Sequence, residues 1–128
     1  MNKKKVLILG GSSDIGVEII KIYLKNNYCI LAQYNKGNKK FFNLLKDNKN
    51  YIKKIKFNFL SDNGKIENFF KKKDVIKSDI LINALGAIFD TNYEHLSLKD
   101  LEKSLKINAF PGIYATSILG KKMAKKNW

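Results

Sequence analysis

A four-residue apolar run leads directly into a glycine turn near the start of the chain, and together they limit what the chain can fold into. Residues 6–9 read VLIL, residues 10–16 read GGSSDIG, and an amphipathic stretch follows at once. A buried strand that passes through a glycine turn into a helix presents backbone N–H groups at the helix start, where they can hold a phosphate. The pattern therefore indicates an α/β fold and a nucleotide as the class of ligand.

The length and the cysteine content point to one domain in a reducing compartment. The chain has 128 residues, enough for one core, and shows no linker or internal repeat. A single cysteine, Cys29, excludes an internal disulfide. The apolar run before the glycines is too short for a signal peptide, and the longest apolar stretch, residues 80–89, is too short to span a bilayer. We therefore expect a cytoplasmic protein without a membrane partner.

The net charge of +14 raises the question of a nucleic-acid partner. All 25 basic residues are lysine, however, and arginine is the side chain that grips phosphate with two hydrogen bonds and reads guanine. The lysines are also scattered through every predicted helix. They indicate a solvated surface, so no nucleic-acid partner is expected. The single histidine, His95, has no cysteine, histidine or carboxylate cluster around it, so no metal site is expected either.

Apolar runs alternate with helical patterns along the chain. Strands are predicted at residues 5–9, 28–34, 51–59 and 79–83, and helices at residues 15–26, 39–46 and 65–73. Ser97 begins a longer helix, which resumes after Pro111 and continues to about residue 125. Strands that are buried on both faces and separated by helices form a parallel sheet. The predicted fold is a Rossmann-like, doubly wound parallel sheet, of which this chain supplies the N-terminal portion: about four strands in the order 3-2-1-4, with helices on both faces.

Helical periodicity also predicts which residues of three helices face the core or share an apolar face. These residues are Ile15, Ile19, Ile22 and Tyr23 in the first helix, Phe41, Phe42, Leu44 and Leu45 in the second, and Leu98, Leu101 and Leu105 in the helix that begins at Ser97. Ser97 and Asp100 have the spacing of a capping box at the start of that last helix.

Three short motifs of this sequence resemble those of a known family, and the glycine turn contains the first. Its spacing is not the common G-x-G-x-x-G fingerprint. The string LGGSSDIG resembles instead the TGxxxGxG motif of short-chain dehydrogenases/reductases, with Leu9 in place of threonine and Asp14 in place of the middle glycine. Gly10 permits the turn, Gly16 lets the helix pack closely, and Ser13 or Asp14 is expected to cap the helix. The Asp14 carboxylate must point away from a bound pyrophosphate.

Two further motifs follow in the order that the family has them. Residues 83–86, NALG, are similar to the family's NNAG at the end of the fourth strand, where Asn83 can tie neighbouring loops together. Asn108, with Gly112 beyond it, resembles the family's asparagine at a helix kink, which supports a water in a proton relay. Pro111 provides a local reason for a kink, because it cannot donate a hydrogen bond to the carbonyl of Ile107.

The resemblance covers essentially the whole chain and implies an NAD(P)-dependent oxidoreductase that acts on a small-molecule carbonyl or alcohol and is a homo-oligomer when full length. Asn108 is the implied catalytic residue. The implied cofactor-binding residues are Gly10, Ser12, Ser13, Asp14, Ile15, Gly16, Tyr34, Asn35, Lys36, Leu60, Asn83, Ala84 and Gly86. NADP is favoured over NAD, because no carboxylate follows the second strand to repel a 2′-phosphate and Lys36 could pair with one.

The family's catalytic serine and Tyr-x-x-x-Lys pair would follow the next strand. No tyrosine of this chain has a lysine four residues later. The sequence is therefore expected to be a C-terminally truncated member, with residues 1–128 forming an incomplete NAD(P)-binding domain that is inactive and poorly folded alone. A non-catalytic, dinucleotide-binding regulatory module is the alternative, and a basic nucleic-acid-binding domain is a third. The sequence beyond residue 128 would separate the first two.

Overall fold

The computed structural model describes residues 3–89 and 93–126 and contains one parallel sheet. Its strands are β1 (Lys5–Leu9), β2 (Cys29–Tyr34), β3 (Ile52–Lys56) and β4 (Ile80–Asn83). They lie in the order β3-β2-β1-β4, and all three pairings are parallel. The predicted strand order of 3-2-1-4 is confirmed, as is the Rossmann-like architecture.

Helices connect the strands, and most of them begin at a capping side chain. The helices are α1 (Asp14–Lys25), α2 (Lys39–Asp47), α3 (Asn63–Lys71), α4 (Lys73–Ile76), α5 (Leu98–Asn108) and α6 (Phe110–Ala124), with one 3-10 turn at Tyr93–His95. Side-chain oxygens of Ser13, Asn38, Asp62 and Ser97 accept backbone N–H groups at the starts of α1, α2, α3 and α5. The predicted caps at Ser13 and Ser97 are confirmed.

The sheet is covered on both faces because alternate side chains of its central strands point in opposite directions. Leu7 and Leu9 of β1 lie in one buried cluster, which includes phenylalanines of α3 and Leu119 of α6. Val6 and Ile8 lie in a second cluster, which includes residues of α1 and α2. The strand order places the carboxyl ends of β1 and β2 at the centre of one edge of the sheet, where α1 and α2 begin.

The predicted apolar face of α1 is right in part: Ile19 and Tyr23 pack against the second cluster, but Ile15 and Ile22 do not. The residues that α1 buries are Gly16, Val17 and Ile20, whereas Ile15 is 70% exposed and Ile22 is 58% exposed. In the first turn Gly16 faces inward, against the turn at Gly10, and a Cβ on Gly16 would be 2.3 Å from the Gly10 carbonyl oxygen, so the adjacent Ile15 faces solvent. In the second helix, Phe41 is buried but Phe42 is exposed.

The segment after β4 also differs from the prediction. The continuous helix with a kink is two helices, since α5 ends at Asn108 and α6 begins at Phe110. Pro111 lies in the first turn of α6, where a proline is tolerated. Leu98, Leu101 and Leu105 remain exposed on α5, which buries no residue. Two smaller differences are that β3 ends at Lys56 rather than Phe59 and that α4 is a separate short helix.

Two kinds of feature are absent from the described part of the chain. None of the helices within residues 3–89 and 93–126 has the length and apolar character needed to cross a bilayer. Over the same residues no three His, Cys, Asp or Glu side chains come together as metal ligands, and His95 is exposed. Thr91 and the last two residues, Asn127 and Trp128, lie outside the described residues.

Candidate functional site

A cleft of about 290 Å³ opens at the carboxyl ends of the strands. Its walls are the glycine turn after β1, the residues after β2, β3 and β4, and one residue of α5. Of the predicted cofactor-binding residues, those that line it are Gly10, Ser12, Ser13, Asn35, Lys36, Ala84 and Gly86. We call the part formed by the glycine turn and by residues 33–38 and 57–59 the β2 side, and the part formed by residues 83–87 and Asn108 the β4 side.

The glycine turn lies closer to the loop after β4 than a residue with a Cβ could lie. Gly10 has φ +76°, in the left-handed region, and a Cβ there would lie 2.5 Å from the carbonyl oxygen of Ala84. The close contact between Gly10 and Gly16 brings the start of α1 against the same turn. The turn therefore packs tightly between the loop after β4 and the start of α1.

The start of α1 has the character of an anion site. Ser13 Oγ accepts the N–H of Gly16 at 2.9 Å and donates to the Gly10 carbonyl at 2.9 Å. The N–H groups of Asp14 and Ile15 have no acceptor within the helix, because the first residues of any helix lack one. These N–H groups and the helix dipole together favour a negatively charged group at this position.

Asp14, the departure from the family motif, does not oppose this site. Its carboxylate side chain is 85% exposed and lies 3.6 Å from the Nζ of Lys40. The negative charge is therefore turned toward solvent and toward a lysine in the first turn of α2. This position agrees with the requirement that the carboxylate point away from a bound pyrophosphate.

The residues after β2 are fixed to the glycine turn by side chains. Ser12 Oγ donates to the carbonyl of Lys36 at 2.7 Å, and Asn38 Nδ2 donates to the carbonyl of Ser12 at 2.9 Å. The Lys36 side chain is exposed at the rim of the cleft. Tyr34 does not line the cleft, and its ring packs against those of Phe41 and Phe42.

Gln33 is a site residue that sequence reasoning missed. It is buried, with 1% of its surface exposed, and it lines the cleft. Its Oε1 accepts the N–H of Gly10 at 2.8 Å, and its Nε2 donates to the carbonyl of Phe57 at 2.6 Å. The available signal was one polar residue inside an otherwise apolar strand, CILAQY. Gln33 thus joins the glycine turn to the segment after β3.

The segment after β3 lines the cleft with residues other than Leu60, whose role stays a prediction. Asn58 and Phe59 line the cleft, and Leu60 is not part of its lining. The N–H of Leu60 is bonded to Asn58 Oδ1 at 3.0 Å, so it is not available to a ligand. Because β3 ends three residues earlier than predicted, the chain reaches the cleft earlier.

On the β4 side, asparagine side chains hold the loop after β4. Asn108 Oδ1 accepts the N–H of Ala87 at 2.8 Å, and its Nδ2 donates to the Ala87 carbonyl at 3.0 Å. Asn83 Oδ1 accepts the N–H of Leu85 at 3.3 Å. Asn83, Asn108 and Gly112 also line a neighbouring cleft of about 460 Å³. The Asn108 amide is therefore a clamp on the loop that carries Ala84 and Gly86.

Comparison with known proteins agrees with this geometry. A family model described as short chain dehydrogenase matches residues 4–128. No curated protein sequence matches the chain.

Three solved structures illustrate the shared fold. A short-chain dehydrogenase from Streptomyces avermitilis has a TM-score of 0.82 and 18% identity, over 98% of this chain and 46% of that one. ElxO with NADP bound has a TM-score of 0.70 and 23% identity, over 98% and 52%. Serine dehydrogenase from Escherichia coli has a TM-score of 0.72 and 18% identity, over 96% and 57%. At these identities the likeness shows the fold, and the chain spans about half the length of these proteins.

Proposed function

The chain belongs to the short-chain dehydrogenase family, and we propose that it forms the NAD(P)-binding domain, residues 1–128, of an oxidoreductase that acts on a carbonyl or alcohol and prefers NADP(H). The observation that carries the proposal is the glycine turn at the start of α1. Gly10 and Gly16 leave no space for a Cβ, and Ser13 caps the helix while the N–H groups of Asp14 and Ile15 remain without an intrahelical acceptor.

The residues around the cleft fit a dinucleotide in chemical character. A pyrophosphate suits the N–H groups of the turn and the hydroxyls of Ser12 and Ser13. An adenosine suits the β2 side, between the residues that follow β2 and β3. The residues assigned to it are Asn35 and Lys36, which line the cleft, with Asn58 in place of Leu60. The nicotinamide ribose suits the β4 side, where the small residues Ala84 and Gly86 follow Asn83.

The preference for NADP(H) rests on the charges beside the end of β2. Lys36 lines the cleft, and the first turn of α2 carries Lys39 and Lys40 but no acidic residue. A positive helix start and lysine side chains both favour a phosphate group. Lys40 is already paired with the Asp14 carboxylate at 3.6 Å, so the proposal relies on Lys36 and Lys39, whose repulsion by the helix dipole a bound anion would relieve. That ElxO was solved with NADP bound is consistent with the proposal.

When bound, the cofactor supplies hydride transfer at its nicotinamide ring. The proposed tasks of this chain are to bind the cofactor, to orient it and to hold the loop at Ala87. Asn108, the residue implied as catalytic, has its side-chain amide engaged by Ala87. We assign it a positioning role for that loop. The protein in full is proposed to be a cytoplasmic homo-oligomer.

Equilibrium titration of the protein that contains this chain tests the proposal. NADPH and NADH are followed by nicotinamide fluorescence, and NADPH is expected to bind at least about tenfold more tightly. Lys36→Ala should remove most of that preference by weakening NADPH alone. Lys46→Ala, at the far end of α2, is the matched control and should change neither affinity.

The outcomes separate the alternatives. Absence of binding by both cofactors overturns the proposed function, and equal or tighter binding of NADH overturns the preference for NADP(H). Turnover with a panel of aldehydes and ketones distinguishes an enzyme from the non-catalytic module, which would bind cofactor without oxidising NADPH.

A further inference from the structure

Two segments that are far apart in the sequence are joined at the rim of the β2 side. The hydrogen bond from Ser12 to the Lys36 carbonyl links residues 24 positions apart, and that from Asn38 to the Ser12 carbonyl links residues 26 positions apart. The ion pair between Asp14 and Lys40 crosses the same gap. The start of α1 and the start of α2 are therefore connected by three contacts, two of them directed hydrogen bonds. We call the Ser12–Lys36 and Asn38–Ser12 pair of hydrogen bonds the latch.

Asn38 has two separate tasks, and few residue types could perform both. Its Oδ1 caps α2 by accepting the N–H of Phe41 at 2.9 Å. Serine, threonine and aspartate cap helices as well, because capping needs only an oxygen. The bond to the Ser12 carbonyl uses Nδ2, and an amide supplies that donor while keeping the capping oxygen. Serine, threonine or aspartate would therefore keep the cap but lose the bond to Ser12, which separates the two roles of Asn38.

The latch acts on the backbone that carries Lys36. The carbonyl of Lys36 is held by Ser12, and two residues later Asn38 is held to Ser12 as well. The Lys36 side chain itself is long and exposed, so ordering it on a ligand costs conformational entropy. Because the latch already fixes the Lys36 backbone beside the cleft, a bound ligand has to order only the side chain. Less conformational entropy is then lost on binding.

From this geometry we infer that Asn38 is a specificity-determining positioning residue, which holds Lys36 in place for the 2′-phosphate of NADP(H). The inference rests on the proposed function and deepens it. NADPH and NADH differ only in the 2′-phosphate. Loss of the latch should therefore weaken NADPH and leave NADH unchanged, whereas general damage to the cleft would weaken both.

The test is Asn38→Ser, which keeps a capping hydroxyl and removes the amide that reaches Ser12. Dissociation constants for NADPH and NADH are measured by fluorescence titration of the full protein, together with the melting temperature. The NADPH constant is expected to rise about 3- to 10-fold while the NADH constant changes less than about 2-fold. Asn38→Thr provides a second capping variant if the serine variant folds poorly.

Asn48→Ser is the matched control. Asn48 Nδ2 donates to the Leu44 carbonyl at 3.0 Å at the other end of α2, so this variant loses the same kind of bond away from the cleft. Neither dissociation constant should change. In the double variant of Asn38→Ser with Lys36→Ala, the NADPH constant should match that of Lys36→Ala alone, because both changes act through one side chain.

Equally weaker binding of NADPH and NADH by Asn38→Ser, or no change in either dissociation constant, overturns the inference. The proposed function stands in that case as long as the wild-type protein prefers NADPH. Additive losses in the double variant also overturn it. Wild-type protein that binds neither cofactor overturns the proposed function and the inference together.

Discussion

Both sides of the cleft are held by a side-chain amide that binds the backbone of another segment, and the two amides differ in burial. On the β2 side, Gln33 bonds Gly10 and Phe57 from inside the sheet, where it is 1% exposed. On the β4 side, Asn108 bonds the N–H and the carbonyl of Ala87 from an exposed position on α5.

The difference shows where the cleft is rigid. Water can replace the bonds of an exposed amide, whereas groups deprived of a buried partner stay unsatisfied. β1 and β2, which carry the glycine turn and Gln33, are buried strands, but α5 buries no residue and keeps Leu98 80% exposed. We therefore expect the β2 side to be preorganised and the β4 side to be more easily deformed.

The largest expected effect comes from the turn that both sides share. Gly16→Ala would place a Cβ 2.3 Å from the Gly10 carbonyl oxygen, a backbone atom that cannot move without shifting the turn. We expect a loss of about 3 kcal/mol or more in the free energy of unfolding, measured by chemical denaturation. Gly64→Ala, at an ordinary contact distance in the first turn of α3, should leave stability unchanged or slightly raised. Equal effects of the two variants would contradict the close-contact interpretation.

Gln33→Leu tests the buried clamp. It leaves the N–H of Gly10 and the carbonyl of Phe57 without their partner, and we expect a loss of about 2 kcal/mol or more in stability. Denaturation with urea measures it. A loss below that of Asn108→Ala would reverse the ranking of the two sides.

Asn108→Ala tests the exposed clamp. We expect a loss of about 1 kcal/mol in stability, because water can bond the freed groups of Ala87. Turnover should fall while the affinity for adenosine fragments stays unchanged. Ser104→Ala is the control: it removes the other partner of Asn108, at 3.2 Å, but keeps the bonds to Ala87, so it should not change turnover.

The smallest effect is expected at the opposite end of β4. Burial raises the pKa of Asp79, but the hydrogen bonds from Lys126 and the Lys5 N–H and the charges of Lys126 and Lys4 together lower it below the ordinary 3.8. A depressed pKa contributes stability above pH 3.8 that is lost as the pH falls through the lower pKa of the folded state. Asp79→Asn should cost less than about 1 kcal/mol at pH 7, and this difference should vanish in acid-titrated denaturation curves. A difference that persists at low pH would show that charge is not its cause.

Features set by neighbouring residues were predictable from the sequence. The parallel sheet follows from alternating apolar runs and helices, and its strand order is that of the predicted Rossmann-like fold. The caps at Ser13 and Ser97 depend on residues three positions away. Ser12, Ser13 and Lys36 line the cleft because their segments directly follow β1 and β2.

Features set by distant contacts were not predictable. Ile15 is exposed because its neighbour Gly16 packs against the distant turn at Gly10. Gln33 has partners 23 and 24 residues away, and local pattern carries no information about them. The assignment of Leu60 depended on where β3 ends, and strand ends are the least certain part of a sequence pattern.

Calorimetric binding of cofactor fragments to the full protein tests the central claim most directly. That claim is that the preorganised β2 side holds the adenosine 2′-phosphate half of NADP(H). We predict that 2′,5′-ADP binds and competes with NADPH, that 5′-ADP binds at least about tenfold more weakly, and that nicotinamide mononucleotide gives no measurable heat. Tighter binding of nicotinamide mononucleotide than of 2′,5′-ADP, or equal binding of the two adenosine fragments, would contradict the account.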